Sequence, residues 1–151
     1  MLTRKAFTRT RKGRKGNAII ESALISLVFF LLLFGIFDFG QFLFVHQALV
    51  HRARTAIRWG AINDADNTTA IQNKILYNQS TAKVDAEGNA EAGYFGLTAS
   101  NVTVTTTGKN TNDYRVNVQI TNFPFVMLSP YVAGKYQGTS INVTVPLGLF
   151  N

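Results

Sequence analysis

Residues 17–37 read NAIIESALISLVFFLLLFGIF, an apolar run with a single carboxylate, Glu21, near its start. From Ser22 to Phe37 there are 16 residues without a charge, and beyond Asp38 the apolar character continues to Val45. A helix that crosses a bilayer needs about 20 mostly apolar residues, so the run is long enough to span. A cleaved secretory signal would have a shorter apolar core, about 7–15 residues, with a small-residue cleavage site behind it. No such site follows here, and the segment is expected to be retained. It continues into HQALVHRARTAIRWGAI (46–62), where Ala48, Leu49, Ala53, Ala56, Ile57 and Gly60 recur at helical spacing while Gln47, Arg54 and Arg58 fall on another face. The expectation is one continuous helix from about residue 18 to about residue 61, roughly 65 Å long at 1.5 Å per residue. Its lower half is apolar all round. Its upper half is amphipathic and needs a head domain or neighbouring copies on one side.

Ahead of this helix stands MLTRKAFTRTRKGRKG (1–16), with seven Lys/Arg and no acid. The whole chain has a net charge of +7, and the entire excess lies in this leader. From Asn17 onward eight basic and eight acidic residues balance. A basic flank before a membrane segment marks the cytoplasmic side. A nucleic-acid-binding arm is the competing reading. It is disfavoured because the adjoining apolar run would hold the arm at a membrane, and the neutral remainder offers no field for a polyanion. The chain has no cysteine, which excludes disulfides and thiolate metal sites. Any domain outside the membrane must therefore be held by packing alone.

The period changes after the helix. NDADN (63–67) is a breaker and an N-cap cluster, and Ile71, Ile75 and Leu76 suggest a short helix over Thr68–Gln79. Ser80–Ala92 is polar and reads as a loop. Apolar and polar residues then alternate in Val102–Thr105, Val116–Ile120 and Ile141–Val145, the mark of half-buried strands. Lys109–Asp113 is a turn signal between the first two, and Phe123–Gly138, with Pro124 and Pro130, is a longer excursion before the third. The predicted fold is α+β: a leader over 1–16, a long helix over 17–62 whose membrane part is 18–45, and a head over 63–151. The head would rest a roughly three-stranded antiparallel sheet on the helix, burying Val102, Val104, Val116, Val118, Ile120, Val143 and Val145.

A basic leader, a glycine, four residues, a glutamate and an apolar helix together resemble the processing site of type IV prepilins. The resemblance implies that a prepilin peptidase cuts between Gly16 and Asn17, leaving Glu21 fifth in the mature chain. In that family the glutamate is thought to pair with the N-terminal amine of a neighbouring subunit. Two departures are Asn17, where pilins commonly have phenylalanine, and Ser22, where an aromatic often follows the glutamate. FGIFDFG (34–40), followed by QALVHRARTAIRWGA (47–61), resembles the TadE-like family, pilin-like proteins of tight-adherence pili. This implies a structural subunit, either a minor priming one or a main building block, with no enzymatic activity and no cofactor. Its partners would be the peptidase, the pilus assembly machinery and other pilin subunits in a helical filament. It would cross the inner membrane once, N-terminus inside, before assembly and lie in an extracellular pilus afterwards.

Several side chains are candidates for assembly. An ionised carboxylate at mid-bilayer costs a few kcal/mol, and less near the interface; Glu21 would be suited by the ammonium freed at Asn17 and by a helix N-terminus. Asp38 lies 17 residues further on, near the outer interface, where it either snorkels or pairs with Arg52, Arg54 or Arg58 of an axially shifted neighbour. Asp38-Phe39-Gly40 also matches a kinase metal-binding tripeptide, but no nucleotide-binding scaffold accompanies it. Ala18, Ser22 and Ser26 recur at i, i+4, i+8, a spacing at which small residues let membrane helices approach closely. Seven of the twelve phenylalanines lie between Phe29 and Phe44 and read as packing. His46 and His51 are about 140° apart around a helix and do not converge on a metal. An alternative to the pilin reading is a permanent single-pass anchor whose head binds a partner. An anchored enzyme lacks any residue set.

Overall fold

In a computed structural model, residues 14–128 and 134–147 are described. The basic leader as far as Gly13, and Pro130 of the excursion, lie outside these residues. The long helix is present as α1 (Arg14–Asn63, 50 residues). It starts at Arg14, ahead of Gly16. From Asn17 to Phe37 no residue is buried, and the large apolar side chains Ile19, Leu24, Phe30 and Phe37 are exposed. The helix is long and apolar enough to cross a membrane, and its most apolar stretch makes no buried contact with the rest of the chain.

The upper half behaves differently. Val45, Leu49, Ala53, Ala56, Ile57 and Gly60 form a buried stripe along α1 at helical spacing. The head packs on that stripe. Helix α2 (Thr68–Tyr77) opens on Asn67, whose side chain accepts from Ala70 N at 3.0 Å, and closes on Asn78 in the left-handed region at φ 61°. It buries Ala70, Ile71, Ile75 and Leu76. Ile71 sits against Gly60, where an added Cβ would lie 2.6 Å from Ile71 Cδ1, so the glycine lets α1 and α2 approach closely.

Strands β1 (Val102–Thr107) and β2 (Arg115–Ile120) form an antiparallel hairpin. Three later residue ranges complete the strands: β3 (Pro124–Met127), β4 (Gly134–Gln137) and β5 (Ile141–Pro146). Strand β5 pairs antiparallel with β2, giving the order β1-β2-β5. The register aligns Val102, Ile120 and Ile141 in one row and Val104, Val118 and Val143 in the next. These rows and the adjoining Val116–Val145 pair form the inner face, with Val104 and Val145 only half-buried, while Thr103, Gln119 and Thr144 face outward. The predicted α+β class and three-stranded antiparallel sheet are therefore present. Missing from the expectation is a second, two-stranded sheet: β3 and β4 pair antiparallel within the 123–138 excursion. Pro124 is tolerated because it is the first residue of β3. Phe123, fully buried, precedes it, and its ring fills the space over Gly138, whose N–H donates to Phe123 O at 2.8 Å.

A polar clasp joins the α1–α2 connection to the sheet. Asp66 accepts from Tyr114 Oη at 2.8 Å and pairs with Lys109. Those two hydrogen bonds, Lys109 first, hold the Asp66 carboxyl below its ordinary range. Burial, then the bond to Asp66, pushes the Tyr114 phenol up to about 12. The sign follows from linkage. The fold favours the neutral phenol, so this support is whole below its ordinary value of 10.0 and is lost as pH rises from there through about 12.

Two outcomes are expected. Gly138→Ala would drive a Cβ to 1.9 Å from Phe123 Cζ; overpacking of this kind costs about 1–3 kcal/mol, read as a lower thermal midpoint of the head in detergent. Asp66→Asn should move the Tyr114 titration from about 12 part of the way back, since burial remains, as read by phenolate absorbance against a Tyr114→Phe reference.

Candidate assembly site

Gly16, Asn17 and Glu21 all lie in the first turns of α1 and are exposed. Open space surrounds Gly16, with nothing within 4 Å of where a Cβ would stand. Ala18, Ser22 and Ser26 are exposed along the same end of the helix. Ser22 Oγ donates to Ala18 O at 2.8 Å, so this hydroxyl is satisfied within its own helix and needs no outside partner in an apolar setting.

Asp38 is where the structure departs furthest from a simple interfacial acid. It is 7% exposed, and it occupies the lowest buried position on the head-facing side of α1, below Phe42 and Val45. Its Oδ1 accepts the backbone N–H of Leu128 at 2.6 Å, across 90 residues of sequence. Leu128 directly follows β3, so the carboxylate holds the loop end of that strand against the helix. An aromatic chain completes the seat: Phe42 meets Phe125 at 5.3 Å between centroids, and Phe125 meets Tyr136 at 5.8 Å. A charged acceptor strengthens such a bond, and burial excludes competing water. Asp38 therefore acts inside its own chain, joining helix and head.

The three arginines separate into two roles. Arg52 Nε donates to Ile75 O at 2.9 Å, in the last turn of α2, and its guanidinium lies 4.3 Å from the Tyr94 ring centroid. A cation at a helix C-terminus is favourable, so Arg52 is a strut between α1 and α2. Arg54 and Arg58, one turn apart on another face, are exposed. They line an open groove of about 650 Å³ between α1 and β5, together with His46, Gln47 and Val50. His51 lies on a different side, beside Arg52 and Lys74. Sequence reasoning did not find the Leu128 N–H, Tyr94 or Phe125, because each acts through a contact remote in the chain. The excess of aromatics in 123–136 was the available signal.

Residues 16–58 match the family model for TadE-like proteins. The match covers the lower helix, Asp38 and the arginine-bearing upper turns, and it stops short of α2 and the sheets. No curated protein and no solved structure matches the chain. The likeness, over this segment alone, is to a family of structural, pseudopilin-like proteins rather than of enzymes.

Asp38→Ala should remove the charged acceptor of the part-buried Leu128 N–H, a loss of about 1.5–3 kcal/mol. The expected result is faster amide exchange at Leu128 and faster proteolysis between β3 and β4, with the three-stranded sheet still protected. Asp38→Asn, which keeps an acceptor oxygen, should retain most of the protection.

Proposed function

We propose that this chain is a structural pilin-like subunit of a Tad-type type IV pilus, made with a cytoplasmic leader that a prepilin peptidase removes between Gly16 and Asn17. The observation that carries this reading is the lower half of α1: an apolar helix from Asn17 to Phe37 that projects from the head and buries nothing. Such a surface requires either lipid or a bundle of like helices. A pilus subunit uses both in turn. It is held first in the inner membrane with its head outside, then transferred by the assembly machinery into a filament core of neighbouring subunits.

The start of the helix fits that passage. Removal of residues 1–16 takes away seven cations and frees an ammonium at Asn17. Glu21 stands one helical turn away, about 6 Å along the axis. A carboxylate here is expensive among hydrocarbon and becomes favourable beside an ammonium. The charge of Glu21 would therefore reward one axial register between neighbouring helices, and small Ala18, Ser22 and Ser26 permit their close approach. Asp38 is engaged by the head, which leaves Glu21 as the registration charge.

The test is the mass of the N-terminus in cells and in sheared surface material. A chain beginning at Asn17 and present in sheared filaments is the expected result. Blocking the cut with Gly16→Leu should abolish its appearance there. An intact Met1 confined to membranes would instead mean a permanent single-pass anchor.

A further inference from the structure

The groove beside β5 has a chemistry that the fold itself leaves unused. Strand β5 is the last strand of its sheet, and among the described residues its outer edge carries no further strand. The helix wall facing that edge presents Arg54 and Arg58. Among the described residues of the head, Lys83–Glu91, Lys109–Asp66 and Arg115–Asp113 form ion pairs, and neither Arg54 nor Arg58 takes part in them. Among the described residues, these two guanidiniums make no hydrogen bond either. No carboxylate among the described residues lines the groove. Two adjacent cations over an open strand edge therefore await an acidic, extended partner.

Another surface of the same head supplies one. Residues 83–91 (KVDAEGNAE) form a narrow loop closed by a Val84–Ala90 bridge. Lys83 and Glu91 neutralise each other at its base. At its tip, Asp85 shapes the turn by accepting the backbone N–H groups of Glu87 and Asn89, and Glu87 is exposed, with no side-chain partner among the described residues. The tip is thus net negative, with the apolar Val84 exposed beside it. This loop is anchored at the C-terminal end of α2, through Tyr77 Oη donating to Glu91 O at 2.9 Å. Helix α2 lies along β1, with Gln72 donating to Val102 O at 2.7 Å. The acidic loop therefore sits with α2 and is a different surface from the basic groove along β5.

We infer that the 83–91 loop of one copy of this chain docks in the Arg54/Arg58 groove of the next. The contact rests on the subunit reading, since it supposes neighbouring copies. It joins two different surfaces, so it does not close as a two-fold dimer; it propagates head to tail. Opposite charge would set the order of the heads around the axis, as Glu21 would set the register of the helices.

The absence of native cysteine makes the test clean. Full-length chains carrying Arg58→Cys and Glu87→Cys together, oxidised in intact cells, should give a ladder of disulfide-linked multimers on non-reducing gels. Arg58→Cys with Asp113→Cys, outside the proposed contact, should give none. In the cross-linking pair, Arg54→Glu should abolish the ladder, and Arg54→Lys, which keeps the charge, should retain it. Absence of the ladder while sheared filaments still contain the chain would overturn the contact and leave the subunit reading standing. A ladder in membranes with no filaments would uphold the contact and sink the pilus. Cross-linking of Arg58→Cys chains to a species of another mass, with none to a second copy, would overturn self-docking.

Discussion

The fold depends on the burial of one stripe of a single helix. Val45, Leu49, Ala53, Ala56 and Ile57 are almost completely removed from solvent, and they contact α2 and the sheet from below. The stripe mixes large and small residues. Leu49 and Ile57 supply apolar area, worth about 1.5–3 kcal/mol each when fully buried, and the two alanines and Gly60 let strands and α2 come close. Remove that stripe and the head has a sheet with one face uncovered. With no disulfide to hold them, α2 and the strands stay together chiefly because α1 gives both of them the same apolar floor.

The same helix carries the opposite property a few turns lower. Below Asp38 it has apolar side chains in every direction and no cover from its own chain. Asp38 stands at the change. A buried carboxylate is costly unless its acceptor capacity is used, and here the hairpin backbone uses it. The residue that ends the uncovered half is thereby the first that the head requires. This gives one physical reason for an acid in an otherwise apolar stretch, and it is independent of any neighbouring subunit.

Legibility in the sequence followed the range of the interaction. The helix, α2 and the three long strands were readable because their periods are local: the 3.6-residue recurrence through Val45–Gly60 and the strict alternation in Val102–Thr105, Val116–Ile120 and Ile141–Val145. The β3–β4 hairpin was not readable. PFVM and GKYQ are four residues each, too short for alternation to show, and two prolines argued against a strand. The hairpin is held by Phe125 on Phe42 and by Leu128 on Asp38, contacts that local pattern cannot encode. At the candidate site the glycine and glutamate at the helix start carry their own spacing signal. Arg52, Arg54 and Arg58 looked equivalent, and only the fold separates the one bonded to α2 from the two that face the groove.

The contact between head and helix runs from Asp38 to Gly60, about 33 Å at the helical rise. In mechanical terms this is a lap joint. A pull on the head along the helix axis loads every contact of the overlap in shear, so that the side chains from Phe42 to Gly60 share the force together. A domain attached only through a loop at the helix tip would peel, one contact after another. The Asp38–Leu128 bond closes the lower end of the overlap, where peeling from that side would begin.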